Sequence, residues 1–313
     1  MIVWLSYSIF ADMSIYKLNK DEIRAGNYRQ FAKAISAVEN EYEGYFEFLE
    51  NLQIDYSIPV VGITGPPGAG KSSLLNAILK ELSSDKKVAI LAVDPSSPFT
   101  HGSVLGDRFR MNDFFEHPNV YIRSLATRGN LGGLSPKSIE ISDVLRSAGF
   151  DIIFIETVGV GQSEVEIATL ADTTVLVLNP GAGDDIQALK SGILEIADIY
   201  VINKSDQPNA DVLARHLYNM LNLRPVSEWI PPVIKTIATE FNGIQEMIKT
   251  VYAHQGQLDT QKRQRLLYEK AVRLIAADKM KRFDYVHLQS EIQNLSAGTN
   301  FYHFLKKNYL ERV

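Results

Sequence analysis

The sequence predicts an α/β fold: a mainly parallel central sheet flanked by helices, with a helical extension at each end. Three observations predict it. From residue 58, short runs rich in Val and Ile alternate with helical stretches. Most of these runs are apolar at successive positions, as strands covered on both faces of a parallel sheet read. After residue 256 no such run appears. Strand–helix alternation implies βαβ units with right-handed crossovers. A length of 313 residues suggests about two domains and can bury a sizeable core. The expected boundaries are an N-terminal helical segment at 1–56, the α/β domain at 57–255 and a C-terminal helical segment at 256–313.

Taken in order, residues 15–53 read as helical, because Ile23, Tyr28, Phe31, Ile35 and Val38 recur near helical spacing and Tyr45, Phe46 and Phe48 follow. The bland reading is a helical layer packed on a core. The expected strands are Ile58–Thr64, Val88–Val93, Val120–Arg123, Ile152–Glu156, Thr174–Leu178, Ile199–Ile202 and Val233–Thr236, with a helix over 71–82. Gln257–Lys281 reads as a long charged helix with apolar positions at Leu266, Leu267, Ala271, Leu274 and Ile275. Shorter helices are expected around 284–295 and 300–311. An apolar stripe does not identify its partner, so this tail either packs or self-associates, or folds back on its own domain. The opening MIVWLSYSIFA is apolar, short and without Lys or Arg before Lys17, so it lacks the basic start of a secretory signal. An ordinary amphipathic start, or a true beginning at Met13, is favoured over a membrane-surface helix.

Composition excludes several classes. With 32 Lys+Arg against 37 Asp+Glu the net charge is −5. That argues against a generic electrostatic nucleic-acid binder, although a local basic pocket stays open. There is no Cys, which removes disulfides, thiolate zinc sites, Fe–S ligation and Cys nucleophiles. The same absence is compatible with a cytoplasmic location, which is expected. No run reaches the roughly 18 apolar residues of a membrane span, so no membrane partner is expected.

The strongest local signal is Gly65-Pro66-Pro67-Gly68-Ala69-Gly70-Lys71-Ser72, placed between a strand and a helix. It fits G-x-x-x-x-G-K-[ST], the phosphate loop of P-loop NTPases. Glycines let backbone N–H groups turn toward phosphate oxygens, and the following helix aims its positive end at the same anion. Lys71 is expected to reach the β- and γ-phosphates and the Ser72 hydroxyl to ligate Mg²⁺. The competing reading is a glycine-rich turn with no ligand.

A second signal, Asn203-Lys204-Ser205-Asp206, directly follows a strand. A buried Asp carboxylate there can accept from both N1–H and the 2-amino group of guanine, and adenine offers neither donor. Asn203 is expected to bridge base and loop, and the Lys204 stem to cover the ring. The alternative is a polar turn before Pro208. Thr236-Ile237-Ala238 is a candidate second base loop.

Two acids end strands beside the phosphate loop. Asp94 follows Val88–Val93, and Glu156 opens Glu156-Thr157-Val158-Gly159. In most GTPases an Asp-x-x-Gly stands there, its acid holding a Mg²⁺ water and its Gly N–H sensing the γ-phosphate. Glu is one methylene longer, and acts through a water or orients the attacking one. Asp107 is a third candidate ligand. Mg²⁺ takes one or two protein carboxylates plus waters and phosphates, so not all three acids bind directly. Capping is the other reading for Asp94 and Asp107. The polar stretches 94–113 and 123–136 exceed the ~12–15 residues beyond which loops tend to be functional or disordered. A third glycine-rich stretch is Pro180-Gly-Ala-Gly-Asp184-Asp185. Glycine-hinged loops beside a nucleotide are candidates to move with its state.

The chain resembles the MeaB/ArgK family of P-loop GTPases, bacterial relatives of the methylmalonic aciduria type A protein. The matching stretches are AVDPSSPFTHGSVLGDRFRM (92–111), TRGNLGG (127–133), ETVGVGQSE (156–164), PGAGDDIQALKSGI (180–193) and NKSD (203–206). AISAVEN (34–40) also looks like the family's N-terminal helix. The likeness runs from about residue 23 to beyond 250 and is weaker at residues 1–14 and over the C-terminal tail.

This resemblance implies a GTPase chaperone for adenosylcobalamin-dependent acyl-CoA mutases, usually methylmalonyl-CoA mutase, that gates cofactor loading and helps remove damaged cofactor. It implies phosphate binding by Gly68, Gly70, Lys71, Ser72 and Ser73, with Gly65, Pro67, Ala69 and Gly159 alongside. Ser72 and Asp107 become the leading Mg²⁺ ligands, with Asp94 and Glu156 nearby. Gly181, Gly183, Asp184, Asp185, Gln187 and Lys190 correspond to a partner-responsive switch. A homodimer through C-terminal helices is implied, and no directly bound cobalamin is expected. Lys71 is the expected catalytic charge, and Glu156 and Gln162 are candidates to orient water.

Three alternatives remain. A nickel-insertion GTPase needs metal-collecting Cys or His, and the six His do not cluster. A transport-linked ATPase is opposed by Asp206. A nucleotide-dependent scaffold without hydrolysis is made less attractive by intact Lys71 and Ser72.

Overall fold

The computed structural model describes residues 18, 20–94, 111, 113–126, 134–135, 137–157, 166–181, 192–224, 229–257, 260–296 and 298–310. Their contacts divide into two compact units, 1–267 and 268–313.

Among the described residues, the first unit opens on three helices: α1 (Lys20–Arg24), α2 (Tyr28–Glu39) and α3 (Tyr45–Glu50). The helical pattern over 15–53 is therefore broken twice among the described residues. Gly26 takes φ +81°, and the Asn27 side chain then accepts from the N–H groups of Arg29 and Gln30, capping α2. Glu41 and Gly44, at φ +51° and +82°, separate α2 from α3. Left-handed residues end one helix and set the angle of the next.

A seven-stranded sheet follows, in the order β3-β2-β4-β1-β5-β6-β7. The strands are β1 (Val60–Thr64), β2 (Val88–Asp94), β3 (Val120–Ala126), β4 (Ile152–Glu156), β5 (Thr173–Leu178), β6 (Ile199–Asn203) and β7 (Val233–Thr236). Every neighbouring pair is parallel. Among the described residues, the helices between and just after the strands are α4 (Lys71–Leu82), α5 (Ser138–Arg146), α6 (Ile193–Ile196), α7 (Ala210–Leu221) and α8 (Ile244–Gln255).

Successive strand residues point to opposite faces, and both faces are covered. Val61, Ile63, Val175 and Val177 meet α4 and α8 through Leu75, Ile78, Met247 and Val251. On the other face, Val60, Leu91, Ile153 and Ile155 meet α2 and α5 through Phe31, Ile35 and Val144. Farther along that face, Leu176, Leu178 and Ile202 pack on Ile193, Leu213 and Leu217. Each fully buried Val, Leu or Ile contributes about 1.5–3 kcal/mol relative to exposure, which is why unbroken apolar runs marked these strands.

The floor of the sheet is tied by polar pairs. Asp172 accepts from the Val60 N–H and pairs with Arg146. His254, at the end of α8, lies 2.7 Å from Thr173 Oγ1 and 3.3 Å from Asp198 Oδ1. The second unit contains the end of α9 (Thr260–Lys281), then α10 (Tyr285–Gln293) and α11 (Phe301–Leu305), with π-helical winding over Lys306–Leu310 where an ordinary helical end was expected. Within this unit Phe283 and Phe304 pack on Tyr309, at 5.6 and 5.9 Å between ring centroids.

Candidate nucleotide-binding site

The strand order makes β1 a switch point. Its crossover leads past β4 to β2, whereas β4 leads back to β5 on the other side. Crevices at the carboxyl ends of strands beside such a point are where open α/β sheets bind ligands. The loops after β1, β4, β5, β6 and β7 all leave the sheet at that end.

The loop after β1 depends on its glycines. Gly65 sits at φ +139°, and a side chain there would put Cβ 2.1 Å from the Val177 carbonyl oxygen on β5. Gly70 is at φ +91°, and its Cβ would lie 2.4 Å from Asn203 Nδ2. Only a residue without Cβ allows both approaches. Pro67 and Gly68 form the exposed tip of the loop, and Ala69 is buried. Gly70 is the N-cap of α4 and provides no side-chain cap. The first-turn N–H groups of this 12-residue helix thus have no capping side chain and can meet an anion.

Lys71 is buried, and its ammonium donates to the carbonyl oxygens of Gly65 at 2.7 Å and Pro66 at 3.2 Å. Ser73 is exposed on the next turn position. Ser72 Oγ donates to Glu156 Oε1 at 2.7 Å, and both residues are buried. A hydroxyl and a carboxylate held together form an all-oxygen donor set, which suits Mg²⁺. Asp94 ends β2, its backbone paired with Ala126 of β3. Asp107, Gly159, Gln162, Gly183, Asp184, Asp185, Gln187 and Lys190 lie outside the described residues. Gly181 is described and exposed, and its N–H donates to Asn179 Oδ1 at 3.0 Å.

Asn203 is the hub of the base side. Its amide donates to the Ala69 carbonyl oxygen at 3.0 Å, and its Oδ1 accepts from Thr236 Oγ1 at 3.1 Å and from the Ala238 N–H at 3.2 Å. One buried side chain therefore joins the loops after β1, β6 and β7. Lys204 takes φ +55° and donates to the Gly68 carbonyl oxygen at 2.9 Å, so its stem spans toward the tip of the phosphate loop. Asp206 corrects one expectation: it is exposed, not buried. It sits in a turn closed by the Gln207 N–H on the Lys204 carbonyl oxygen.

Two features escape sequence reasoning. Thr64 and Thr157 are buried with their hydroxyl oxygens 3.1 Å apart, and the Thr157 N–H donates to the Ile63 carbonyl oxygen. This pair continues the β1–β4 register in which Ile63 faces Glu156, and it fixes the strand end that carries Glu156. The other is Gln207, which reaches Gly181 in the loop after β5. Both join segments distant in sequence, and no local spacing announces them.

A parallel sheet with this glycine loop at its switch point, and Asn-Lys-x-Asp beside it, defines a P-loop protein of the guanine-nucleotide type. Residues 31–285 match the family model described as methylmalonyl Co-A mutase-associated GTPase MeaB. The chain belongs to this family of GTPases. It is 38% identical over 260 residues to GTPase ArgK of Escherichia coli, covering 77% of this chain and 78% of that one. It is 32% identical over 320 aligned positions to the mitochondrial methylmalonic aciduria type A homolog of Caenorhabditis elegans, covering 93% and 76% of the two chains. A crystal structure of a LAO/AO transport system kinase superposes with a TM-score of 0.63 at 26% identity, covering 93% of this chain and 89% of the other. Membership in the family implies GTP and GDP binding and the usual dependence on Mg²⁺. No helix among the described residues is long and apolar enough to cross a membrane.

Proposed function

We propose that this GTPase is a G-protein chaperone of an adenosylcobalamin-dependent acyl-CoA mutase, with methylmalonyl-CoA mutase the first client to test. It gates cofactor loading, protects the loaded enzyme and assists its reactivation. Cobalamin stays with the mutase. The observation that carries the nucleotide half of this reading is the Asn203 hub, which couples a guanine-reading turn to the phosphate loop. The family match carries the mutase half.

In this reading the backbone of Gly65–Ser73 surrounds the phosphates and Lys71 balances charge on the β- and γ-oxygens. Asp206 accepts from guanine N1–H and N2–H, the Lys204 stem covers the ring, and Thr236 and Ala238 hold Asn203 in place. Ser72 and Glu156 would hold Mg²⁺, with Asp94 and Asp107 near it. The ion supplies charge neutralisation along the phosphate chain. Glu156 or Gln162 orients the attacking water. Catalysis is mainly positioning and charge stabilisation, so turnover without a partner is slow. Gly181 and the residues that follow it, to Lys190, respond to the mutase. Residues 256–313 join two copies as a homodimer, and the protein works in the cytoplasm.

The test is GTP turnover with and without purified mutase, together with capture from a cell extract in the presence of a GTP analogue. The expected result is recovery of a B12-dependent mutase that accelerates turnover, with Lys71→Ala inactive in both arms. Repeated recovery of only a membrane permease, or a rate that ignores the mutase, overturns the chaperone reading.

A further inference from the structure

Glu156 stands where β4 ends, and the chain there is held from both faces of the sheet. On the α4 side, Glu156 Oε1 accepts from Ser72 Oγ at 2.7 Å. Its register partner is Ile63 of β1, which packs in the same layer as α4. Successive strand residues alternate between faces, so the next pair, Thr64 and Thr157, lies on the other side. There the Thr157 hydroxyl donates to Thr64 Oγ1 at 3.1 Å, and Thr64 and Thr157 are 0% and 2% exposed. The Thr157 N–H donates to the Ile63 carbonyl oxygen at 3.1 Å. Thr64 is itself fixed, because its backbone pairs with Leu176 of β5. Gly65, the first residue of the phosphate loop, comes next. A buried hydroxyl bond thus ties the residue before that loop to the residue after Glu156.

We infer that Thr157 is a positioning residue for the cation: through Thr64 it fixes the end of β4 so that the Glu156 carboxylate stays at Ser72 Oγ. The inference rests on the proposed reading of Ser72 and Glu156 as the residues that hold Mg²⁺. Its physical basis is order. A carboxylate already in place loses little conformational freedom when the ion arrives, whereas one on a loosened strand end must be ordered first. Local opening is easiest where a ladder ends. The hydroxyl bond opposes that opening from the face opposite Ser72. Valine has the shape of threonine without its hydroxyl, so Thr157→Val keeps the packing and takes the donor away from Thr64.

The Mg²⁺ requirement for retaining a fluorescent (mant) non-hydrolysable GTP analogue tests this on the full chain, with the analogue's affinity in EDTA as the control. Thr157→Val should raise the half-saturating Mg²⁺ concentration by about fivefold, the size of one net hydrogen bond. Its affinity in EDTA should change by less than about twofold. Thr157→Ser, which keeps the hydroxyl, should stay within about twofold of the unsubstituted protein in both measurements. Thr64→Val removes the same bond from the other strand and should match Thr157→Val. The double variant should be no weaker than either, because one bond is lost only once. A merely structural pair would lower the urea midpoint of Thr157→Val and leave its Mg²⁺ requirement unchanged, and that result overturns the inference. So does a Thr157→Ser protein with as high a requirement as Thr157→Val. Failure of the underlying reading looks different: Glu156→Gln would then leave the Mg²⁺ requirement unchanged.

Discussion

Asp206 stands exposed at the end of its turn, so in the proposed reading the base brings its own cover when it binds. Its carboxylate offers two acceptors to a guanine edge, each charge-assisted bond contributing about 1.5–3 kcal/mol. Asp206→Asn exchanges one acceptor for a donor that faces another donor. The preference for GTP over ATP should then fall by about a hundredfold or more, measured by calorimetry with both nucleotides. An unchanged preference would remove Asp206 from the base site. Asn203 and Lys204 were readable in advance because their spacing is local. The Thr64–Thr157 pair was not, because it depends on strand register.

Tyr121 supplies a pH prediction at the same scale. Burial pushes its hydroxyl up to about 12, with the nearby Arg123 guanidinium pulling down and Glu39 pushing up. It packs edge-on against Phe31, with ring centroids 4.4 Å apart. The folded state therefore holds the phenol proton more tightly than the unfolded chain, whose value is about 10. The resulting stability is fully present below pH 10 and is lost as pH rises from 10 to 12. Tyr121→Phe should flatten the fall in melting temperature across that window, and equal slopes for the two proteins would refute the assignment.

At the scale of elements, the phosphate loop separates two kinds of glycine. Gly65→Ala drives a Cβ into the Val177 carbonyl oxygen on a backbone that already disfavours side chains. A loss of about 3 kcal/mol or more is expected. Gly68 also has positive φ, at +80°, but nothing lies within 4 Å of a built Cβ. Gly68→Ala should cost only about 1–2 kcal/mol. Urea unfolding of the two variants checks the order, and equal losses would place the cost in backbone strain alone.

The strands were legible to within a residue or two because burial on both faces writes unbroken apolar runs. β3 was read short, as 120–123. Arg123 and Ser124 break the apolar pattern, yet the ladder to Ala92–Asp94 continues through Ala126. The opening stretch was read as helical without its breaks, because apolar spacing carries across Gly26–Asn27 and Glu41–Gly44. The breaks are backbone events, and Gly26-Asn27 is the sequence signal of the first.

At the scale of the whole molecule, the C-terminal unit leaves many large apolar side chains in the open. Val272 is 44% exposed, Ile275 57%, Val286 79% and Tyr302 80%. Exposure of this extent along α9 and the shorter helices after it points to a surface that another chain covers, in line with the proposed homodimer. Val272→Asp combined with Ile275→Asp should convert a dimer to a monomer in sedimentation experiments. A dimer that persists would move the interface elsewhere. The apolar stripe over 266–275 was legible, but its partner was not, because a stripe carries no address.

The sheet ends on one side at β7, a strand of only four residues, with Lys235 directed outward and paired with Asp211 of α7. A strand at such a margin presents unmatched peptide groups on which a foreign chain could crystallise as an eighth member. Brevity and an outward ammonium make that annealing unfavourable. A chain that leaves apolar helices exposed in its C-terminal unit is thus guarded against unchosen strand partners at this border.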